Sequence, residues 1–375
     1  MNEYMNEIIK AIEYAENKKN ITVYNCIESI KNKNIVAFGL GKFFEDTHER
    51  LFKNFNIKYL CDNNSEKWNK DFYGKRCISV DELRKIDNLF VIVVMGDCRD
   101  VIKQLNKYNI PSIPITELHF SKYNKGYDCG WLKDSIEKIE KTLNILDDES
   151  KEVFVKVFCK KIYMNNYKYE YSDFAKNGEY FRNGLWKLSD NECFVDGGAY
   201  IGDTINQFLS QVNNKFEKIF SFEYEKENFK ILEKNIQNLD EKIKNKIFLN
   251  NCGIWDKKEE KWCEFFGESD GTEIIDSDKI SDKSEKCYLN SLDNILKNEK
   301  VSLIKLDIEG AEIQGIIGAK AIIKEQKPKL AICLYHRPED LWEIPLLIKN
   351  INNDYKFKIV HHGFLNYTDT VLYAE

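Results

Sequence analysis

The chain has 375 residues, and its 43% hydrophobic and 31% charged content is that of a folded globular protein rather than a disordered or collagen-like one. Its 56 basic and 62 acidic residues give a net charge of −6, which excludes a general electrostatic attraction to nucleic acid or to anionic membranes. The longest apolar run, LFVIVVM at residues 89–95, is far shorter than the ~20 residues of a membrane helix. We therefore predict no nucleic-acid partner and no membrane span.

The N-terminal residues and the cysteines together predict the cellular compartment. The first residues carry acidic side chains and lack the apolar core and the cleavage site of a signal peptide. The eleven cysteines are scattered and include no C-x-x-C pair, which favours reduced thiols over disulfides or a zinc site. These features predict a cytoplasmic protein.

Residues 1–31 are predicted to be an N-terminal helical segment, because apolar residues such as Ile8 and Ile12 recur in it at helical spacing. Three apolar strand-like runs follow, NIVAFGLG, IKYLCDNN and LFVIVVM, and helical stretches separate them. Strands that alternate with helices at this spacing predict a parallel sheet. We assign residues 32–118 to a small Rossmann-like α/β domain.

The first turn of this domain contains Gly39-Leu40-Gly41, and Asp62 closes the next strand. The third glycine of the dinucleotide-binding pattern is absent, and Phe44 takes its place. The domain is similar to Rossmann-like domains on enzymes of bacterial surface-sugar synthesis. A role in docking, in presenting substrate or in homo-oligomerisation is favoured over nucleotide binding, and both alternatives stay open.

Residues 119–190 are predicted to be a helical connector. Two amphipathic segments form it, WLKDSIEKIEKTLNIL and DDESKEVFVKVFCKKIY, and Asp147 or Asp148 suits the N-cap of the second. An aromatic cluster lies in and after these segments, and packing in the core is favoured for it over lining a pocket. Its members are Tyr163, Tyr167, Tyr169, Tyr171, Phe174, Tyr180 and Phe181.

A second α/β pattern begins near residue 191, and its first strand runs into the glycine-rich turn VDGGAYIGDT. Glycines there permit a tight turn and a close approach of the backbone to a ligand. The end of the first strand is also where an open α/β sheet binds its ligand. The candidate cofactor-binding residues of the turn are Asp196, Gly197, Gly198, Ala199, Tyr200, Gly202, Asp203 and Thr204.

The acid that closes the next strand, Glu223, is suited to accept hydrogen bonds from the two hydroxyls of a ribose. Both NAD and S-adenosylmethionine carry such a ribose, so the turn has to distinguish them. Asp196 would repel the pyrophosphate of a dinucleotide but suits the ammonium and sulfonium groups of S-adenosylmethionine. The charge of the turn therefore favours S-adenosylmethionine as the cofactor.

Two further strand ends carry candidate catalytic residues. Asp307 and Glu309 follow the strand SLIKL, with Glu312 a turn later, and such carboxylates can orient an acceptor, bind a metal or act as a base. His336 follows the strand KLAICLY, where a histidine can take a proton near neutral pH. We predict His336 or Asp307 as the base and Glu309 as an orienting residue, and we assign no metal ligand. The pair at 361–362 ranks lower, with structural and substrate-edge roles equally open.

In this order, the segments FVDGGAYIGD, FSFEYEKENFKILEKNI, NSLDNIL, LIKLDIEGAEIQGIIGA and KPKLAICLYHRPEDLWEIP resemble the FkbM family of S-adenosylmethionine-dependent methyltransferases. The resemblance covers residues 191–375. It implies a class I methyltransferase sheet of seven strands with the last one antiparallel, and O-methylation of a sugar or polyketide hydroxyl. Tyr224 stands where the family often has proline, and it is assigned to the cofactor site with Asn251, which we expect beside the adenine.

The sequence thus predicts an S-adenosylmethionine-dependent O-methyltransferase that acts on a sugar, a nucleotide-linked sugar or a glycan precursor in bacterial surface polysaccharide synthesis. Two alternatives stay open. One is a sugar-nucleotide oxidoreductase or nucleotide-binding protein that uses the N-terminal domain. The other is a non-catalytic scaffold that only binds S-adenosylmethionine.

Overall fold

The structure is a computed structural model. The residues that it describes are 3–17, 30–115, 129–163, 168–181, 185–265, 272–275, 280, 284–364 and 368–375. Within these ranges the chain forms one N-terminal sheet, one C-terminal sheet and a smaller third sheet. Of the described helices, none is both long enough and apolar enough to cross a membrane.

Helix α1 (Glu3–Asn17) opens the chain and precedes the N-terminal sheet. The strands of this sheet are β1 (Asn34–Phe38), β2 (Ile57–Cys61), β3 (Asp71–Phe72), β4 (Lys75–Ile78), β5 (Leu89–Val93) and β6 (Ser112–Pro114). They lie in the order β3-β4-β2-β1-β5-β6, and all pairs except β3–β4 are parallel. The helices between them are α2 (Lys42–Asn54), α3 (Val80–Leu83) and α4 (Arg99–Lys107). Apolar residues on both faces of the sheet form two cores of its own.

The next helices are α5 (Cys129–Asp134), α6 (Ile136–Ile145) and α7 (Asp148–Tyr163). Helix α1 packs against α7, and Ile8 of α1 shares one hydrophobic core with Phe154 and Phe158 of α7. The same core contains Trp342 and apolar residues of the C-terminal sheet. We therefore propose that α1 and α5–α7 fold as a layer of the C-terminal unit rather than as an independent segment and a connector.

The C-terminal sheet has seven strands: β7 (Cys193–Gly197), β8 (Lys218–Phe222), β9 (Ile247–Asn250), β14 (Leu303–Leu306), β15 (Lys329–Cys333), β16 (Phe357–His361) and β17 (Thr370–Ala374). Their order is β16-β17-β15-β14-β7-β8-β9, and β17 is antiparallel to both of its neighbours. The helices that accompany them are α8 (Asp203–Gln211), α9 (Lys226–Gln237), α10 (Glu241–Lys244), α11 (Leu292–Ile295), α12 (Glu312–Gly318), α13 (Lys320–Gln326) and α14 (Asp340–Ile351). The predicted class I methyltransferase sheet, with an antiparallel last strand, is confirmed.

A small sheet that the sequence analysis does not predict follows β9. Its strands are β10 (Gly253–Ile254), β11 (Glu259–Phe265), β12 (Thr272–Ile275) and β13 (Ser284–Asn290), in the order β10-β13-β11-β12. A disulfide joins Cys263 of β11 to Cys287 of β13, so the expectation of reduced thiols is wrong for this pair. Cys61, Cys77, Cys193 and Cys333 are buried free thiols.

Candidate active site

A cavity of about 360 Å³ lies at the carboxyl ends of β7, β8 and β14. The chain runs from β7 to β8 on one side, whereas β14 and β15 lie on the other side of β7. Such a switch point, where the strand order reverses, is where open α/β sheets bind ligands. Charged lining residues are Glu179, Asp203, Glu223, Glu225, Lys305, Asp307, Glu309 and Arg337, and the larger apolar ones are Phe222, Ile254, Trp255, Ile274 and Leu289.

The glycine-rich turn owes its glycines to strand packing as much as to a ligand. Gly198 has φ +73°, and a Cβ placed on it would lie 1.8 Å from the carbonyl oxygen of Asp307. A Cβ on Gly197 would lie 2.7 Å from Ile254 Cδ1 and 2.8 Å from Leu306 Cδ2. Because these two positions carry no side chain, β7 can lie close to β14, and a Cβ at either position would force the backbone apart.

Only part of the turn faces the cavity. Gly198, Tyr200, Asp203 and Thr204 line it, and their assignment to the cofactor stays a prediction. The other four residues assigned to the cofactor lie behind the cavity wall. They are Asp196, Gly197, Ala199 and Gly202.

Asp196 is fully buried, and its partner is a lysine of the neighbouring strand rather than solvent. The Nζ atom of Lys305 lies 3.2 Å from Asp196 Oδ1 and donates a hydrogen bond of 2.8 Å to the carbonyl oxygen of Gly198. Burial raises the pKa of Asp196 to about 6, although Lys305 acts in the opposite direction. Asp196 therefore holds Lys305 and the turn in place, whereas the sequence analysis expects it to contact the cofactor.

Glu223 stands at the end of β8 with both carboxylate oxygens held by the backbone. The amides of Tyr200 and Glu225 donate to Glu223 Oε2 and Oε1 over 2.9 and 2.8 Å. Burial raises the pKa of Glu223 to about 7 against the effect of these two hydrogen bonds. The carboxylate is therefore fixed in orientation at the cavity wall, with oxygen lone pairs left for a ligand.

The two other residues assigned to this end of the site differ in position. Tyr224 lines the cavity. Asn251 is exposed, is not among the lining residues, and donates from its side-chain amide to the carbonyl oxygen of Glu223 over 2.9 Å. Its role in the structure is therefore to brace the end of β8, and Ile254 and Trp255 line the cavity where the sequence analysis expects Asn251.

Asp307 is the centre of a hydrogen-bonded network at the other end of the cavity. The hydroxyls of Tyr180 and Tyr335 donate to its two oxygens over 3.0 and 2.8 Å. Burial acts to raise the pKa of Asp307, but the charges of Lys305 and His336 and the tyrosine hydrogen bond outweigh it and lower the pKa. Asp307 is therefore ionised, oriented and in contact with the cavity.

His336 lies among carboxylates. Its Nε2 atom is 3.5 Å from Asp307 Oδ1 and 3.6 Å from Glu309 Oε2, and its Nδ1 atom is 2.9 Å from Glu312 Oε1. Burial alone would lower the pKa of His336, but Glu312 and Glu309 outweigh it and raise the pKa to about 10. In this arrangement the imidazole carries a proton at neutral pH, which disagrees with its expected role as the free base. Glu309, the expected orienting residue, lines the cavity with φ +56° and a half-exposed side chain.

Glu179, Tyr180 and Tyr335 are among the site residues that the sequence analysis does not assign. Glu179 and Tyr180 line the cavity, and Tyr335 binds Asp307 from behind it. Burial and the charges of Asp369 and Asp307 raise the pKa of Glu179 to about 8. The one signal that pointed to this segment was the aromatic cluster, in which Tyr180 is both a core residue and a cavity residue. The cluster's Tyr167 lies outside the described residues.

The histidines at 361–362 hold the segment that carries Tyr180. His362 Nδ1 lies 2.7 Å from the carbonyl oxygen of Lys176, and its Nε2 atom lies 2.9 Å from the hydroxyl of Tyr373. The same hydroxyl accepts a hydrogen bond of 2.9 Å from the amide of Tyr180. His361 is fully buried against Thr370, at 2.8 Å. Both histidines therefore have structural contacts.

In the N-terminal sheet, the acid expected to bind ribose is already bound by protein groups. Asp62 accepts hydrogen bonds from the amide of Leu40 at 2.9 Å, the amide of Asn64 at 2.8 Å and Lys67 Nζ at 3.0 Å. Lys67 also donates to the carbonyl oxygen of Leu40 at 2.8 Å. Phe44, at the position of the missing glycine, is buried in the core. These contacts close the turn on itself and weaken the nucleotide-binding alternative.

The charge of the C-terminal cavity is negative. Six of its lining residues are acidic and two are basic, so their formal charges sum to −4 when all of them are ionised. A cavity of this sign attracts a cationic ligand and opposes a pyrophosphate.

Comparisons with known proteins agree with this fold. Residues 196–359 match the family model described as the methyltransferase FkbM domain. The structure is similar to that of methyltransferase FkbM from Methylobacillus flagellatus KT, with a TM-score of 0.71 and 21% identity over 99% of both chains. At this identity the likeness establishes the fold.

Other similar structures are methyltransferases that cover about half of this chain. An rRNA methylase from Streptococcus thermophilus shares 14% identity over 50% of this chain and 87% of its own, with a TM-score of 0.31. A precorrin-6y C5,15-methyltransferase from Geobacter metallireducens GS-15 shares 9% identity over 54% and 91%, with a TM-score of 0.30. No curated protein matches the sequence.

Proposed function

We propose that this chain, whose residues 196–359 form an FkbM methyltransferase domain, transfers the methyl group of S-adenosylmethionine to a hydroxyl of a sugar or glycan precursor. The observation that carries the proposal is the cavity at the strand-order switch point, with Glu223 at one end and the Asp307 network at the other. We assign the Glu223 end of the cavity to the cofactor and the Asp307 end to the acceptor hydroxyl.

The residues of the cavity fit S-adenosylmethionine by charge and by hydrogen bonding. Glu223 would accept hydrogen bonds from the ribose hydroxyls, because both of its oxygens are pre-oriented at the cavity wall. Asp203 and Glu225 add negative charge near the glycine turn, and Ile254 and Trp255 supply an apolar wall suited to a purine. When bound, the cofactor supplies an electrophilic methyl group on a cationic sulfur.

Asp307 is the residue proposed to receive the acceptor. Because it is ionised and held by two tyrosines, it can accept a hydrogen bond from an acceptor hydroxyl and fix the direction in which its oxygen points. As the new O–C bond forms and the S–C bond breaks, S-adenosylhomocysteine leaves, and the hydroxyl proton passes to Asp307 and then to solvent. Glu309, at the rim, is proposed to orient a neighbouring hydroxyl.

The same carboxylates support a polyhydroxylated acceptor. Glu179, Asp307 and Glu309 offer several acceptor oxygens at one end of the cavity, and hydroxyl groups are the donors that match them. An acceptor that presents phosphate to this end would meet like charge. We therefore favour a free sugar or glycan hydroxyl, with any nucleotide or lipid carrier held outside the cavity.

The cofactor half of the proposal is tested by calorimetry of the full chain with S-adenosylmethionine and with NAD. We expect saturable heat with S-adenosylmethionine and none with NAD at the C-terminal site. Transfer of a labelled methyl group into a cell glycan extract, followed by mass spectrometry of the product, tests the acceptor half. NAD binding without S-adenosylmethionine binding would overturn the proposal, and cofactor binding without turnover on any glycan pool would leave the scaffold alternative.

Replacing Glu223 with glutamine should weaken S-adenosylmethionine binding by about 10–100-fold, because hydrogen bonds to a charged group contribute about 1.5–3 kcal/mol each. Glutamine keeps the shape of the side chain but has one acceptor oxygen in place of two. Calorimetry measures the change, and the exposed Glu241→Gln is the matched control, which should bind like the wild type. Equal affinities for the two variants would remove Glu223 from the cofactor site.

The affinity for S-adenosylmethionine should also depend on pH through Glu223. Its pKa of about 7 means that the carboxylate is mostly ionised at pH 8 and mostly protonated at pH 6. The ionised form accepts the ribose hydrogen bonds, so we expect the dissociation constant to rise as pH falls through 7. The measurement is calorimetry from pH 6 to 8, in which Glu223→Gln should show a flatter profile than the wild type.

A further inference from the structure

The acceptor end of the cavity contains a group of side chains with the composition of a metal site. Asp307, Glu312 and His336 each offer one ligand atom, and these three atoms lie within 4.8 Å of one another. Two ligand atoms on opposite sides of a metal at about 2.1 Å are ~4.2 Å apart. A small rotation of these side chains is therefore enough to bring them around one ion.

An independent observation concerns the hydrogen bonds of the buried members. Glu312 has no exposed surface, and its Oε1 atom accepts the amide of Ile308 over 2.8 Å. Its Oε2 atom is buried without a hydrogen-bond partner among the described residues. A buried carboxylate oxygen is rarely left without a partner, so a further ligand is expected there.

We propose that Asp307, Glu312 and His336 bind a divalent metal ion at the acceptor end of the cavity, and that the ion displaces to solvent the proton that His336 carries in its absence. Asp307 follows β14, Glu312 begins α12 and His336 follows β15, so the fold brings His336 to two acids that lie 29 and 24 residues earlier in the sequence. Asp307 lines the cavity, and its side chain is 26% exposed, which provides an entry path for the ion.

Glu309 is placed to adjust this site from the rim. Its Oε2 atom lies 3.6 Å from His336 Nε2, a separation that two ligands of one metal commonly have. Its side chain is 47% exposed, so it can turn toward the ion or toward an acceptor. Carboxylate oxygens suit Mn²⁺, Mg²⁺ and Ca²⁺, whereas an imidazole nitrogen suits transition metals. A site that combines the two therefore favours Mn²⁺.

The ion deepens the proposed function and rests on it. A divalent cation beside Asp307 would bind the acceptor's hydroxyl oxygen, lower the pKa of that hydroxyl and ease the passage of its proton to a neighbouring carboxylate. The positive charge of the ion would also offset the repulsion among the carboxylates that surround the acceptor. Sugars with adjacent hydroxyls, which can chelate one ion through two oxygens, are the acceptor class that this site favours.

The test is a titration of the full chain with Mn²⁺, followed by the loss of the electron paramagnetic resonance signal of free Mn²⁺. We expect one bound ion per chain, competition by Mg²⁺ or Zn²⁺, and at least about tenfold weaker binding in Glu312→Gln and in His336→Gln. Asp354→Asn is the matched control, because it changes an exposed carboxylate that pairs with Lys327 and lies outside the proposed site. This variant should bind Mn²⁺ like the wild type.

Circular dichroism melting of each variant verifies that it is folded, and two variants are used because Glu312 is buried. No Mn²⁺ binding to the wild type, or equal binding by Glu312→Gln, His336→Gln and Asp354→Asn, would overturn the proposal. Calorimetry with S-adenosylmethionine separates the two ideas. Cofactor binding and turnover in the presence of EDTA, without Mn²⁺ binding, would reject the metal and keep the methyltransferase.

Discussion

Replacing Asp307 with asparagine should lower the rate of methyl transfer by about 10²–10⁴-fold, the range that a positioned acid–base group contributes. The carboxylate is the point on which Tyr180, Tyr335 and His336 converge. Asparagine keeps its size but removes the charge and one acceptor oxygen. The loss is expected whether Asp307 takes the proton itself or holds the metal ion that lowers the hydroxyl's pKa.

The measurement is initial rate with saturating S-adenosylmethionine, beside calorimetric affinity for the cofactor. Affinity should change by less than about threefold, because the cofactor's contacts are assigned to the other end of the cavity. Tyr335→Phe is a graded variant that removes one hydrogen bond from Asp307 and should lose about tenfold in rate. Near-normal turnover of Asp307→Asn would exclude Asp307 from the reaction.

Replacing Lys305 with methionine should reduce the free energy of unfolding by about 3–5 kcal/mol, the cost of removing one partner of a buried ion pair. Lys305 is 2% exposed in the centre of the C-terminal sheet, opposite the fully buried Asp196. Methionine fills a similar volume but leaves Asp196 without a cation and the carbonyl of Gly198 without a donor. The glycine turn should therefore loosen, and cofactor affinity should fall with stability.

Denaturant unfolding at several pH values measures this effect. Without Lys305 the pKa of Asp196 should rise above its value of about 6 and stay well above that of the unfolded chain. The folded state then takes up a proton more readily than the unfolded state, so the deficit should be largest above pH 7 and smaller at pH 5. Lys327→Met, which removes an exposed pair with Asp354, should stay within about 0.5 kcal/mol of the wild type. A similar small change in Lys305→Met would contradict the buried-pair interpretation.

The strands of the C-terminal sheet could be predicted because they are buried on both faces. Sequences such as LIKL in β14 and KLAIC in β15 are nearly continuous apolar runs, which is the pattern of a central parallel strand. The strands β11 and β13 escaped prediction for the opposite reason. Their sequences, EEKWCEF and SEKCYLN, are mostly polar, and their residues pair with partners 20 to 30 positions away in the chain, which no local pattern indicates.

The sequence alone determined which residue types stand at the strand ends. A strand that ends in glycines, followed by strands that end in Glu223, Asp307 and His336, fixes the ligand edge of the sheet because parallel strands bring their carboxyl ends together. It does not determine which side chain meets which, since that depends on distances across the sheet. Hence Asp196, assigned to the cofactor from sequence, pairs with Lys305 inside the sheet, and Asn251 donates a hydrogen bond to the end of β8 from an exposed position.

Tertiary structure decided the chemistry of the acceptor end. Tyr180 reaches Asp307 from a position 127 residues earlier, and Glu312 meets His336 across two elements. The pKa of a histidine follows from the charges around it, so a residue that reads as a neutral base in sequence becomes a protonated partner of three carboxylates in the fold. The local sequence shows which ionisable groups are present, but their pKa values depend on the charges and the burial that tertiary packing brings to each of them.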